Sequence, residues 1–115
     1  MHELSIAISM IEQIVLESEC RGSLEVEVVH LRLGVFSGVD PNALLFSYQL
    51  ASEGTPLQAS RLEIESVPLL VFCPRCAKTQ APPSLYQLCC PDCLAPTPQI
   101  VSGREIEIAS LEVAA

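Results

Sequence analysis

Tryptophan is absent from this chain of 115 residues, and phenylalanine and tyrosine together supply only five side chains. Half of the residues are apolar, so a modest core must be built almost entirely from aliphatic side chains. Positive charge is also scarce: six Lys and Arg stand against fourteen Asp and Glu, for a net charge of −8. Binding to nucleic acid needs a basic face for the phosphates, and that class of partner is excluded here. An acidic surface of this kind suits cations or proteins with basic patches. No uncharged apolar run approaches the roughly 20 residues of a membrane span. The chain opens on the polar Met1-His2-Glu3, and Glu12 and Glu17 interrupt the apolar residues of the next stretch, so no secretory leader is expected. A cytoplasmic location is the expectation. A glycine-rich phosphate loop is missing, and with two histidines there is no Ser/His/Asp or Cys/His set. We expect a protein that is not an enzyme.

Cysteine is what the chain does have. Cys73-Pro74-Arg75-Cys76 and Cys90-Pro91-Asp92-Cys93 form two Cys-Pro-x-Cys pairs with thirteen residues between them. In a compartment that keeps thiols reduced, this spacing reads as two knuckles closing one tetrahedral four-thiolate site, with zinc as the ion. Each proline fixes φ and removes an N–H, leaving the remaining turn amides to point at the sulfurs. A four-ligand zinc site is closed and structural. Iron in a rubredoxin-like electron carrier uses the same donors, but such knuckles place glycine after the second cysteine, where Ala77 and Leu94 stand here. A third reading is a zinc-ribbon module that only binds protein. Cys89 could compete for the metal, although only Cys90 keeps the two-residue gap to Cys93. Arg75 and Lys78 are the only cations in the zinc stretch.

The rest of the chain reads as a small α+β domain. Residues 3–19 form a helix with Leu4, Ala7, Ile8, Ile11, Ile14, Val15 and Ser18 on one face, stopped at Gly22. Leu24 to Leu33 is a strand whose inward phase slips at Val28-Val29, marking a bulge or burial on both faces. Asp40-Pro41 is a helix start, with an aspartate cap and proline at the first position. The second helix carries Leu44, Leu45, Tyr48 and Ala51 inward and ends before Gly54 and Pro56. Further strands run from Arg61 and, after the zinc stretch, over 104–113, where the phase slips again after Ile108. The expected fold is a small three-stranded sheet, antiparallel or mixed, covered by two helices, with an inserted zinc-ribbon-like module. Residues 1–71 and 97–115 make the α+β domain and 72–96 the insert, which is too short for a core of its own. Metal binding must therefore supply its folding free energy, about 10 kcal/mol or more for such sites.

Two histidines remain. His30 reads as a structural or edge residue of its strand. His2 has a plain reading as a surface histidine at a frayed end, and a sharper one. The amine of Met1, the amide of His2 and its imidazole can close adjacent chelate rings on one ion. First-turn amides have no intrahelical acceptor, so a metal claims them without breaking the helix. A nitrogen-rich, near-planar donor set favours Ni²⁺ or Cu²⁺. Glu3 adds an amide and a carboxylate.

Met1-His2-Glu3-Leu4-Ser5, the Leu-Arg-Leu-Gly at 31–34, and the paired Cys-x-x-Cys knuckles before Ile-Val-x-Gly at 100–103 together resemble the HypA family over the whole length. These are nickel metallochaperones of [NiFe]-hydrogenase maturation. The resemblance implies His2 as nickel ligand, Glu3 as the supporting neighbour and a retained Met1 amine. It implies Asp40 as a carboxylate that approaches nickel in some members, against its plain role as a helix cap. Cys73, Cys76, Cys90 and Cys93 match the structural zinc ligands. The implied partners are a nickel-handling GTPase commonly called HypB and the hydrogenase large subunit, with urease served by some members. The doubled Cys89-Cys90 departs from the pattern of a single ligand.

Overall fold

The computed structural model describes residues 3–97 and 99–114. Its elements run α1 (Glu3–Cys20), β1 (Val26–Gly34), α2 (Pro41–Ser52), β2 (Arg61–Val67), β3 (Leu70–Cys73), β4 (Lys78–Gln80), β5 (Gln99–Ser102) and β6 (Ile106–Val113). They form two three-stranded sheets, ordered β2-β1-β6 and β4-β3-β5. The chain divides into two compact units: residues 1–32, 39–65 and 107–115, and residues 33–38 with 66–106.

In the first unit α1 packs against α2. The end of α1 is a glycine stop with its hydrogen bonds in place: Gly22 has φ of 88°, Ser23 N–H reaches Ser18 O at 2.7 Å, and Gly22 N–H reaches Glu19 O at 3.3 Å. That pairing satisfies two carbonyls the last turn leaves open. The buried face of α1 is Ala7, Met10, Ile11 and Ile14, while Leu4 and Ile8 are exposed. The expected face is thus rotated. With apolar residues on nearly every side of this helix, periodicity alone left its direction underdetermined. Leu45 of α2 is likewise exposed, and Leu44 and Tyr48 carry the burial. Asp40 caps α2 as its sequence signature implies, its carboxylate accepting from Asn42 N–H at 3.0 Å with Pro41 at the first turn.

β1 is the central strand, and the adjacent Val28 and Val29 are both buried, as the phase slip requires. His30 is therefore not an edge residue. On β1 and β2 the partners advance together, His30 beside Glu63 and Arg32 beside Glu65, as in parallel strands joined by a helical crossover. On β1 and β6 they run in opposite directions: Gly34 N–H bonds Glu105 O at 2.7 Å and Ala114 N–H bonds Glu25 O at 2.9 Å. The sheet is mixed. β6 lies at its edge, so Ile108 and Leu111 are half-buried and Ile106 and Val113 exposed, less covered than their pattern implied.

The second unit contains two strands that the sequence did not announce, β4 and β5. Both pair antiparallel with β3, with Cys73 opposite Lys78 and Phe72 opposite Gln99. Val67, Leu69, Val71, Cys73 and Cys90 are its buried core. Here two glycines meet backbone to backbone. A Cβ on Gly34 would lie 2.0 Å from Gly103 O, and Gly103 itself has φ of 113° with Leu69 Cα 2.7 Å from the place a Cβ would take. The contact is closed by Phe36 N–H on Gly103 O at 2.7 Å. No side chain fits between atoms that close, and neither backbone can retreat without breaking those bonds. We expect Gly34→Ala to cost about 3 kcal/mol or more in chemical denaturation, with Gly38→Ala, in open space though at positive φ, costing clearly less.

Candidate metal centre

The second unit brings Cys73, Cys76, Cys90 and Cys93 together from β3, the turn after it, and a second turn fourteen residues later. Their four sulfurs lie within 4.8 Å of one another. Cys73 Sγ is 3.6 Å from Cys93 Sγ, and Cys76 Sγ is 3.9 Å from Cys90 Sγ. A tetrahedral ion with bonds of about 2.3 Å to sulfur separates its sulfurs by about 3.8 Å, so the donor set fits a zinc-sized tetrathiolate centre. Cys73 and Cys90 are buried and Cys76 and Cys93 half-covered. Cys90 joins the sulfur group, and Cys89 does not; it pairs instead with Pro96 in a bridge.

Each knuckle is held by its own backbone. Cys76 N–H donates to Cys73 Sγ at 3.4 Å in the first, and Leu94 N–H to Cys90 O at 2.9 Å in the second. The residue after each second cysteine turns into the left-handed region, Ala77 with φ of 53° and Leu94 with φ of 62°. Glycine would adopt this without strain, and its absence from both positions leaves a cost in the folded chain. A second cross-link, outside the sulfurs, joins β4 to the second knuckle. Asp92 Oδ2 accepts from Gln80 Nε2 at 2.9 Å and from Lys78 Nζ at 3.2 Å. These donors, Gln80 first, hold the Asp92 carboxyl below its usual range, and Asp92 in turn raises Lys78. Sequence reading did not find this group, since nothing in the spacing pairs residue 80 with residue 92.

The thiols do not ionise alike. The Cys93 backbone amide, followed by that of Asp92, pulls Cys90 down to about 7 against the effect of burial. Cys76 is pushed up to about 12, first by its hydrogen bond with Cys93 and then by burial. Four anionic sulfurs cannot share this space unaided, which is the electrostatic case for a cation among them.

The other candidate site residues fall in the first unit. Glu3 Oε2 accepts from the backbone N–H of Asp40 at 3.2 Å, which brings the first turn of α1 to the cap of α2. Met1 and His2 lie outside the described residues. His30, on the central strand, has Glu112 at one ring nitrogen and Glu63 at the other, the latter at 3.8 Å. No described helix is long and apolar enough to cross a membrane.

A two-helix α+β fold with a four-cysteine centre defines a class of small metal-handling proteins, and comparison with known proteins narrows it. Residues 1–113 match the family model described as HypA, hydrogenase/urease nickel incorporation, metallochaperone. A hydrogenase maturation factor HypA from Roseiflexus sp. (strain RS-1) is 50% identical over 112 residues, covering 97% of this chain and 91% of that one. One from Chloroflexus aggregans is 43% identical, covering 97% and 98%. The solution structure of the Ni metallochaperone HypA from Helicobacter pylori superposes with a TM-score of 0.72 at 23% identity over 100% of this chain and 99% of that one, a likeness of fold. The chain belongs to the HypA family, the non-catalytic nickel metallochaperones of hydrogenase maturation.

Two outcomes are expected from the centre. Ala77→Gly and Leu94→Gly relieve left-handed strain and should each stabilise the metal-loaded protein by about 1 kcal/mol in thermal or denaturant unfolding. Stripping the ion with a chelator should unfold the second unit, since metal binding supplies its folding free energy, and the loss is read as collapse of amide-exchange protection in β3, β4 and β5.

Proposed function

We propose that this chain carries Ni²⁺ on the Met1 amine and the amide and imidazole of His2, with Glu3 beside them, while zinc held by Cys73, Cys76, Cys90 and Cys93 keeps the second unit in shape. The nickel is cargo, delivered in the cytoplasm to the hydrogenase large subunit with the help of a HypB-like GTPase. The observation that supports the nickel site is the hydrogen bond from the Asp40 amide to the Glu3 carboxylate. It ties the start of α1, one residue from His2, to a second helix start that also carries a carboxylate. Asp40 contributes chiefly as the cap, through Asn42. The zinc assignment is supported by the sulfur spacing and by the closed donor set, which leaves no position for a substrate.

An open site at a chain start gives a recipient room to displace donors one at a time, which a four-sulfur cage does not. Imidazole must be neutral to bind and has a reference pKa of about 6.5, so nickel affinity should fall as pH drops through that range. Amides that lose a proton on binding make the fall steeper. Calorimetric titration with Ni²⁺ should show tight binding at about pH 8, clear weakening at about pH 6, and loss of at least about tenfold in affinity for His2→Ala. Residues added before Met1 should weaken binding as well. Equal affinity at both pH values, or full binding by His2→Ala, rejects the proposed donors.

A further inference from the structure

Lys78, Gln80 and Asp92 stand beside the four sulfurs without belonging to them. β4 is three residues long, with Lys78 and Thr79 exposed and Gln80 half-buried. So short and polar a strand has little apolar surface to hold it against anything but β3. What it does have is a polar tie to the second knuckle. Gln80 Nε2 lies 2.9 Å from Asp92 Oδ2 and 4.0 Å from Cys90 Sγ, and Lys78 Nζ reaches the same Asp92 oxygen at 3.2 Å. Asp92 sits between Cys90 and Cys93, so the tie runs from the β3–β4 hairpin to the second knuckle by a route that avoids the sulfurs.

We propose that Gln80 is a positioning residue for the metal centre: anchored on Asp92, its amide holds the second knuckle and Cys90 against the first, and so slows loss of the bound ion. This rests on the assignment of zinc to the four sulfurs. Cys90 leaves the ion only when its knuckle swings away from β4, and the Gln80–Asp92 bond must break for that swing. At 4.0 Å the direct contact with sulfur is long, so the effect is positional more than electronic. Lys78 has the lesser share. Its side chain is 58% exposed and that of Asp92 52%, and an ion pair so open to water is weak and screened by salt.

The test is zinc release from the full-length protein to an excess of a colour-forming chelator, after the zinc content of each purified variant has been measured. Loss of an orienting partner lowers metal affinity about 10–100-fold, and the partial exposure of Gln80 places it at the lower end. Gln80→Ala should therefore release zinc about tenfold faster, and Gln80→Glu, equal in size but unable to donate, should do the same. Lys78→Ala should change the rate by less than about threefold, and raised salt should abolish that difference while leaving the Gln80 effect in place. In Gln80→Glu/Asp92→Asn donor and acceptor trade places, and release should slow back toward the native rate. A general loosening of the unit gives no such rescue. Should Gln80→Ala fail to fold, Gln80→Glu and its rescue carry the test alone. Native release rates in zinc-replete Gln80→Glu, or no recovery in the exchanged pair, overturn the role of Gln80 and leave zinc assigned. Native protein isolated without zinc overturns the zinc assignment itself, and the role of Gln80 with it.

Discussion

Charge repulsion among four sulfurs is the constraint on which the second unit depends. Their separations of 3.6 and 3.9 Å are too short for four thiolates in a medium poorer in water than bulk solvent. The surroundings treat the thiols differently, backbone amides lowering Cys90 to about 7 and the hydrogen bond with Cys93 raising Cys76 to about 12. A divalent cation removes that conflict and turns the four groups into the strongest contacts in the unit. Everything nearby is arranged for that state: amides aimed at sulfur, two prolines in the turns, and left-handed residues accepted without glycine. Strain at Ala77 and Leu94 is a local cost that binding of an ion would offset.

The two glycine motifs that mark the chain acquire a common cause in the structure. Gly34 ends β1 and Gly103 precedes β6, and their backbones touch. Gly34 has no room for a side chain because the Gly103 backbone stands where its Cβ would be, and Gly103 has none because Leu69 does, so the two short signatures at 31–34 and 100–103 meet in one crowded place. The hydrogen bonds from Gly34 N–H to Glu105 O and from Phe36 N–H to Gly103 O hold it shut.

Much of this was legible in the residues themselves. The cysteine pairs, the Asp40-Pro41 cap, the Gly22 stop and the phase slip at Val28-Val29 all act over a few positions, and local chemistry decides them. What was not legible depends on surroundings. β4 and β5 are three and four residues long and carry no periodicity to read. The inward direction of α1 turns on which of its several apolar sides meets α2, and Met10 won over Leu4 and Ile8 for reasons of packing alone. At the candidate metal centre the grouping of the four cysteines was evident from spacing, whereas Gln80 entered only because a hairpin folds residue 80 onto residue 92. The Glu3–Asp40 contact was hidden for the same reason, being a meeting of two helix starts 37 positions apart.

The two metal sites of the proposed function differ in the way their tasks demand. A cage of four anionic sulfurs, two of them buried, binds through donors that must all be displaced before the ion departs, and its outer hydrogen bonds oppose each displacement. A site built on the first residues of a helix borrows amides that have no other partner and a histidine whose proton competes with the metal. Retention and transfer thus arise from donor chemistry and closure together. The proposed function needs both in one chain, and they are compatible because the four sulfurs all lie within residues 73–93 while the proposed nickel donors begin the chain. Sulfur prefers the ion that stays, and an N-terminal nitrogen set favours the one that must move on.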